Sequence, residues 1–159
     1  MENPASLSSG LAARARRASA SETVPQLPEH WRLARAAHVD LLLMGMPRVN
    51  LLLIAPDAVV RYVLESLLLN LREPIARCVP GQPLDLPPHE FISTLILHDV
   101  GRLQPHEQLD LLAWLEQANG RTQVVSTASA PLLPRVHSGL FIDTLYYRLN
   151  TVCVDVTGA

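Results

Sequence analysis

The stretch LILHDVGRL, residues 95–103, brings His98 and Asp99 directly after three apolar residues. In α/β proteins ligands bind outside the carboxyl ends of the strands, so polar side chains at this point are candidates for chemistry. An imidazole beside a carboxylate suits general acid–base catalysis. Together with His106, which follows in the sequence, the same pair offers ligand types that zinc accepts. These residues therefore raise a small metallohydrolase at His98, Asp99 and His106 as one functional alternative.

A structural role for the same residues is the competing interpretation. His98 and His106 lie on opposite sides of a predicted turn, no cysteine is nearby, and a third ligand is not evident. The serines on the neighbouring predicted strands lack the glycine pattern of a nucleophile elbow. The sequence therefore favours Asp99 as a backbone cap at the end of a strand and His98 as a partly buried, hydrogen-bonded side chain. Neither a catalytic residue nor a metal ligand is predicted.

The composition restricts the classes of function that this chain can perform. Hydrophobic residues make up 48% of the 159 residues and charged residues 18%, which is typical of a globular protein. The net charge of −2 creates no overall field that would attract nucleic acid or an anionic membrane. All 13 basic residues are arginine. The absence of lysine excludes Schiff-base chemistry and the phosphate-binding lysine of a P-loop.

The cysteine content and the apolar runs predict the cellular compartment. Cys78 and Cys153 are far apart and form no C-x-x-C motif, which favours two reduced thiols in a cytosolic protein. No apolar run approaches the roughly 20 residues that a membrane-spanning helix needs. The N-terminus lacks the apolar segment of a secretory signal. We therefore expect a soluble, cytoplasmic protein without membrane contact.

Two regions are predicted along the chain, a flexible N-terminal tail over residues 1–27 and a core domain over residues 28–159. The tail is rich in alanine, serine and arginine and has no sustained apolar face, so its arginines are most simply a solvated surface. Helical spacing begins after Pro28, with apolar residues such as Trp31 and Leu41.

The core domain alternates predicted strands with predicted helices. The strand candidates are VNLLLIA, PIARCV, FISTLIL, TQVVSTA and TVCVDV. A first helix is predicted to begin at Asp57 as N-cap, and a second over residues 104–119 to bury Leu109, Leu112 and Leu115. SGLFIDTLYYRL is predicted to form a further helix. Buried strands joined by helical crossovers predict a parallel, three-layer α/β sheet.

The last helix and strand carry a resemblance to a known family. GLFIDTLYYRLNTVCVDV, residues 139–156, resembles the G-x-F-R-E-D-L-Y-Y-R-L-N-V segment of the sigma-54 activators, the AAA+ ATPases of bacterial enhancer-binding proteins. LYYRLN matches at six consecutive positions. LILHDVGRL is similar to the Walker B strand of that family, QVVSTAS to its sensor strand, and LLLIAPDAVVRYVLESL to its P-loop strand and helix.

This resemblance covers about residues 48–156. It implies the AAA+ αβα core, a three-layer sandwich with a five-stranded parallel sheet in the order 5-1-4-3-2. The family's σ-contacting loop, helical lid and DNA-binding helix-turn-helix have no counterpart in this sequence. The resemblance therefore implies a core without a lid domain and without specific DNA binding.

Within the resemblance, the P-loop positions depart from the family pattern. Ala55, Ala58 and Val60 stand at the three glycines, Arg61 at the lysine, and Tyr62 where a magnesium-binding hydroxyl is common. Glycines allow consecutive backbone N–H groups to turn inward around phosphate oxygens, and a β-branched valine does not. We expect no phosphate cradle at this loop.

The remaining positions of the nucleotide site depart as well. His98 stands at the Walker B aspartate and Asp99 at the glutamate, while Ser129 stands at the sensor asparagine. Ile142 stands at the first arginine of the arginine-finger region, and Arg148 is retained. Mg²⁺ prefers oxygen ligands to a neutral imidazole. The resemblance therefore implies vestigial nucleotide-binding positions at Ala55, Asp57, Ala58, Val60, Arg61, Tyr62, His98, Asp99, Ser129 and Arg148.

The resemblance and these departures together predict the function. We expect a non-catalytic sigma-54-interaction-domain-like protein in bacterial transcriptional regulation. It is expected to act through protein contacts, with itself or with a full-length sigma-54 activator, and to need no cofactor. One alternative is a nucleotide sensor without hydrolysis, using Arg61 and Arg148. For Arg148, an ion pair within its own domain is the favoured prediction.

Overall fold

A computed structural model describes residues 49–79 and 81–157. The predicted tail over residues 1–27 and the predicted helix after Pro28 lie outside the described residues. The division into a tail and a core domain at residue 28 therefore stays a prediction.

Five parallel strands form one sheet in the order β2-β3-β4-β1-β5. Read from the other edge, this is the predicted order 5-1-4-3-2, so the expected α/β fold is confirmed. Every strand pair is parallel; Leu51 of β1, for example, lies between Val125 of β4 and Val152 of β5. The strands are β1 Leu51–Ile54, β2 Ile75–Cys78, β3 Thr94–Leu97, β4 Gln123–Ala128 and β5 Val152–Asp155.

Helices cover the two faces of this sheet. They are α1 Asp57–Leu68, α2 Pro105–Ala118, α3 Leu133–His137 and α4 Asp143–Leu149. Two short 3-10 helices, His89–Phe91 and Val100–Arg102, flank β3. The PGQPLDLPPHE segment, predicted as a loop, contains no other helix or strand within its described residues.

The alternation of side chains along each strand divides the core into two clusters. Leu52 and Ile54 point to one face, where they pack with buried residues of α2 and α4. Leu51 and Leu53 point to the opposite face and pack beneath α1. All four residues of β1 are buried, because a central parallel strand is covered on both sides.

The N-cap of the first helix lies one residue before the predicted N-cap, Asp57. Pro56 occupies the N-cap, with φ −59° and ψ 149°, and Asp57 is already helical. The Pro56 carbonyl accepts the N–H groups of Val59 at 2.9 Å and Val60 at 3.0 Å. Because these amides already have a backbone acceptor, the Asp57 side chain is not used as a cap.

The second helix has the predicted extent but a different buried face. Leu109 is 58% exposed, so its predicted place in the core is wrong. The buried residues are Gln108, Leu111, Trp114, Leu115 and Ala118. Gln108 can be buried because neighbouring backbone groups form hydrogen bonds with its side-chain amide. The buried face of α2 is therefore rotated away from Leu109.

The predicted helix over SGLFIDTLYYRL is shorter than expected, since α4 begins at Asp143. Gly139 adopts a left-handed φ of 71° after α3, and the N–H groups of Leu140 and Phe141 donate to the Arg135 carbonyl. Similarly, β3 begins only at Thr94, because part of the predicted FISTLIL strand forms the preceding 3-10 helix. Within the described ranges, no helix has the length and apolarity that a bilayer crossing requires.

Candidate functional site

The carboxyl edge of the sheet brings most of the predicted site residues together. The start of α1 carries Arg61, the end of β3 leads to His98 and Asp99, and the end of β4 leads to Ser129. Thr127 and Asp99 both line one cleft with Arg61. This meeting of strand ends follows from the parallel topology, which places all carboxyl ends at one edge.

Arg148 lies elsewhere, near the carboxyl end of α4. Its guanidinium group forms an ion pair with Glu116 of α2, at 3.4 Å between Arg148 Nη2 and Glu116 Oε1. Both side chains are about half exposed, so the pair contributes little to stability. The predicted ion pair of Arg148 within its own domain is confirmed.

The junction between β1 and α1 is short and leads directly into the helix. Ala55 is buried and donates its N–H to the Ala128 carbonyl at 3.0 Å, which continues the pairing of β1 with β4. Pro56 alone separates it from the first helical residue. Ala58 is exposed on the first helical turn, whereas Val60 is 8% exposed and belongs to the core beneath α1. The backbone of this segment is helical where a phosphate cradle would need inward-turning amides.

Asp99 connects the end of β3 with the end of β4. Its backbone is left-handed, with φ 47°, a conformation that Asp tolerates better than most residues. Its N–H donates to Thr127 Oγ1 at 2.9 Å, and its Oδ1 accepts the Ser129 N–H at 3.4 Å and the Ser129 hydroxyl at 3.3 Å. The predicted capping role of Asp99 is thus confirmed, and its carboxylate is engaged by Ser129.

His98 is half-buried beside Asp99, and its backbone N–H donates to the Cys78 carbonyl at 3.0 Å. Burial, together with the positive charge of Arg77, lowers the pKa of His98 below its ordinary value of 6.5. The imidazole is therefore neutral at pH 7. Within residues 49–79 and 81–157, no polar group forms a hydrogen bond with the ring, so the predicted hydrogen bond of the His98 side chain stays a prediction.

A cleft of about 380 Å³ lies between α1 and the ends of β2 and β3. Arg61, Arg77 and Arg102 line this cleft. Among the residues that the structure describes, none of these three arginines forms an ion pair. Asp57, Glu65 and Asp99 line the same cleft, so its charges are mixed. Three unpaired guanidinium groups give it a capacity for anions that these carboxylates partly oppose.

A neighbouring cleft of about 430 Å³ contains Cys78, His98 and Glu107. The Cys78 thiol donates to the Asp85 carbonyl at 3.2 Å. Burial and the nearby negative charge of Asp85 raise the pKa of this thiol. Cys78 therefore remains a thiol at neutral pH and is a poor nucleophile.

The residues of the metallohydrolase alternative are not gathered into a ligand set. His106 is exposed on the first turn of α2 and lines neither of the two clefts around His98. The Glu107 carboxylate accepts the Gln104 N–H at 2.7 Å and thereby caps α2. In the described ranges, no three histidine, cysteine, aspartate or glutamate residues lie close enough to hold a metal ion.

Sequence reasoning did not identify Arg77 and Arg102 as members of the cleft. Arg77 lies in β2, and Arg102 ends the 3-10 helix after β3. Their positions at the carboxyl ends of adjacent strands were the available signal, because neighbouring parallel strands deliver such side chains to one edge. Tyr62, the remaining predicted position, is half-buried on α1.

Comparison with known proteins identifies a family and a fold. A family model described as the sigma-54 interaction domain matches residues 65–158, which is more than half of the chain. No curated protein matches the chain.

Among solved structures, the chain is similar to NtrX from Brucella abortus, with a TM-score of 0.61 and 15% identity over 82% of this chain and 37% of NtrX. The NtrX complex with ATP has a TM-score of 0.58 and 15% identity, over 80% of this chain and 34% of NtrX. The complex with ADP has a TM-score of 0.54 and 16% identity, over 74% of this chain and 34% of NtrX. The chain thus spans about a third of the NtrX chains that it matches, and at these identities the likeness shows the fold.

Proposed function

Since the chain belongs to the sigma-54 interaction domain family, we propose that it is a non-catalytic member acting in bacterial transcriptional regulation through protein contacts. The partner is a second copy of the chain or a full-length sigma-54 activator. One observation carries this proposal, the direct passage from β1 through Pro56 into the helix at Asp57. The segment that aligns with a phosphate-binding loop is a helical turn.

The physical argument concerns the backbone N–H groups of this turn. A P-loop stabilises phosphate oxygens with several amides that point into one cavity. Here the amides of Val59 and Val60 donate to the Pro56 carbonyl, and Pro56 itself has no N–H. Opening the turn would also remove Val60 from the core, where it is 8% exposed. Phosphate binding of the P-loop kind would therefore require partial unfolding of α1.

The groups at the end of β3 support the same proposal. Hydrolysis in P-loop enzymes uses one oxygen ligand for Mg²⁺ and one residue that orients the attacking water. His98 offers a nitrogen in place of the first, and the Asp99 carboxylate is engaged by Ser129 at 3.3 Å. His98 is therefore poorly suited to bind Mg²⁺, and Asp99 is poorly suited to orient the attacking water.

The body of the domain is intact, which is what a function through contacts requires. Leu145 and Leu149 of α4 are fully buried and pack into the cluster that also contains residues of α2. AAA+ cores associate side by side, so a core without turnover is able to occupy a place next to an active subunit and alter its assembly.

The test combines a turnover assay with an association assay. We expect no phosphate release from ATP above the buffer rate, with a catalytic sigma-54 activator as the positive control. Multi-angle light scattering of this chain alone and mixed with that activator is expected to show a complex larger than either component. Turnover would contradict the non-catalytic assignment, and the absence of any complex, homotypic or mixed, would contradict function through contacts.

A nucleotide sensor without hydrolysis is the second candidate, favoured by the three arginines of the 380 Å³ cleft, none of which forms an ion pair within residues 49–79 and 81–157. NtrX, which shares the fold, was crystallised with ATP and with ADP. Equilibrium dialysis with ATP, ADP and cyclic di-GMP tests this candidate on the full chain and on Arg61→Gln. Binding at micromolar ligand that Arg61→Gln abolishes would favour the sensor, and no binding at millimolar ligand would exclude it.

A further inference from the structure

A third cavity, of about 760 Å³, forms an open groove beside the 430 Å³ cleft, with which it shares Arg102, Leu103 and Gln104. One wall is the segment from Gly101 into the first turns of α2, and the other is the turn between α3 and α4. None of the vestigial nucleotide-binding positions lines this groove.

Gln108 fixes the two walls of the groove to one another. This side chain is 2% exposed and uses both ends of its amide. Its Nε2 donates to the carbonyls of Leu103 at 3.1 Å and Leu140 at 3.2 Å, and its Oε1 accepts the Ile142 N–H at 2.9 Å. Buried, satisfied hydrogen bonds of this kind hold a surface in one shape. The groove therefore exists before any partner binds, which lowers the entropic cost of binding.

Apolar side chains are exposed on both walls. Leu109 is 58% exposed and Leu140 is 60% exposed, one on α2 and one on the turn that precedes α4. Leucines presented on facing walls of a concave surface are typical of a binding groove rather than of scattered surface leucines.

The charge of the groove has one sign. Arg102 and Arg135 both line it, and none of the described residues that line it carries a carboxylate. A groove whose described lining contains two arginines and no carboxylate is complementary in charge to an acidic segment.

We propose that this groove binds a segment of a partner protein in which a carboxylate side chain lies between aliphatic residues. The aliphatic side chains contact Leu109 and Leu140, and the carboxylate accepts hydrogen bonds from Arg135. Arginine is one of the residues enriched among interface hot spots. This inference rests on the proposed function through protein contacts and names the surface and the chemistry of the partner.

The test uses the full chain and two dye-labelled peptides read by fluorescence anisotropy. One peptide contains Leu-Leu-Glu-Leu-Leu within a soluble frame, and the other replaces the glutamate by glutamine. We expect the glutamine peptide to bind about tenfold more weakly, as for the loss of a charge-assisted hydrogen bond. Arg135→Gln is expected to weaken binding of the glutamate peptide by a similar factor, so that the two peptides bind with equal affinity.

Leu140→Ser and Leu69→Ser form a matched pair of variants for the apolar contact. Leu69 is 89% exposed at the end of α1 and does not line the groove. Leu140→Ser is expected to weaken both peptides at least fivefold, while Leu69→Ser leaves them unchanged. Because Leu140 is itself exposed, this variant is expected to fold even where Arg135→Gln does not, and thermal unfolding checks both.

Several results would overturn the inference. These are absence of peptide binding, equal affinity for both peptides, or equal effects of Leu140→Ser and Leu69→Ser. A concentration-dependent dimer that Leu140→Ser abolishes would assign the groove to a second copy instead. The experiment distinguishes failure of this inference from failure of the proposed function. An activator complex that survives Leu140→Ser contradicts only the groove, and peptide binding without any activator complex contradicts only the activator as partner.

Discussion

The first strand–helix unit of the sheet, β1 with α1, contrasts with the last, α4 with β5. In the last unit the family segment LYYRLN is retained, and Leu145 and Leu149 within it are fully buried. In the first unit the core residues are retained as well, with Val63 and Leu67 of α1 packed on the sheet. In the first unit, the connection between strand and helix consists of Ala55 and Pro56.

This difference shows that the core and the phosphate site depend on different properties of the sequence. The core needs apolar side chains at helical and strand spacing, which both units have kept. A phosphate site needs glycines in an unusual backbone conformation and exposed polar groups, neither of which stabilises the fold. In a helix, Ala58 is favoured over glycine by about 1 kcal/mol, and the β-branched Val60 is favoured by less. A helix that begins directly after Pro56 is therefore compatible with a stable domain.

The largest expected effect tests the retained unit. Leu145→Ala is expected to lower the free energy of unfolding by about 4 kcal/mol, because it leaves a cavity in the core between α4 and the sheet. Urea unfolding followed by circular dichroism measures this change. Leu69→Ala, at an 89% exposed position, serves as control and is expected to change stability by less than about 0.5 kcal/mol. Equal losses in the two variants would contradict the described packing of α4.

The next effect tests how α4 and α2 are joined. Gln108→Leu is expected to cost about 3 kcal/mol, since it leaves the carbonyls of Leu103 and Leu140 and the N–H of Ile142 without their partner. Gln117→Leu, on an exposed position of the same helix, is the matched control. Hydrogen exchange of the Ile142 amide, compared between the two variants, locates the effect. A Gln108 variant as stable as the Gln117 variant would show that the buried amide does not hold the groove.

The first unit is tested by restoring a glycine of the phosphate-loop pattern. Val60→Gly is expected to cost about 2 kcal/mol, because it removes a buried side chain and weakens the first turns of α1. The same variant is expected to release no phosphate from ATP. Arg61→Lys, at an exposed position, is the control and is expected to be neutral in stability. Unchanged stability of Val60→Gly, or ATP turnover by it, would remove the contrast between the two units.

The smallest expected effect is the pH dependence of stability that arises from His98, at the end of β3. Burial and Arg77 lower the pKa of His98 below 6.5 in the folded state, so the unfolded chain takes up a proton at higher pH than the folded protein does. The associated stability is fully present above pH 6.5 and is lost as pH falls through the lowered pKa. Urea unfolding at a series of pH values is expected to show a smaller acid loss for His98→Gln than for the wild type.

The exposed His106→Gln variant is the control for this titration, because it removes a histidine from the same region of the surface. Its stability is expected to follow the wild-type dependence on pH. If both variants reduce the acid loss equally, the lowered pKa of His98 is not its source.

Much of the fold was predictable, because the signals that specify it are local. The strands LLLI and TLIL are apolar runs bounded by prolines or polar residues, and they are the buried strands β1 and β3. The spacing of the leucines in α2 did not predict which face of this helix is buried. Gln108 is polar and buried, and Leu109 is apolar and exposed, which reverses the expectation from periodicity.

The candidate site was predictable only in part for a similar reason. The ten nucleotide-binding positions were predicted from the family resemblance, but the helical first turn of α1 depends on the hydrogen bonds of the Pro56 carbonyl. The position of Arg148 away from the cleft, paired with Glu116, follows from the packing of α4 on α2.

The amino-acid sequence by itself carried the family resemblance, and that resemblance implied the strand order, because motifs such as LYYRLN depend only on residue type and position along the chain. The tertiary structure alone decided which side chains share a surface. Arg61, Arg77 and Arg102 meet at one cleft although they come from three elements, and Gln108 joins α2 to the turn before α4. Such contacts join residues distant in sequence, and their geometry depends on how the helices pack on the sheet rather than on the pattern within any one of them.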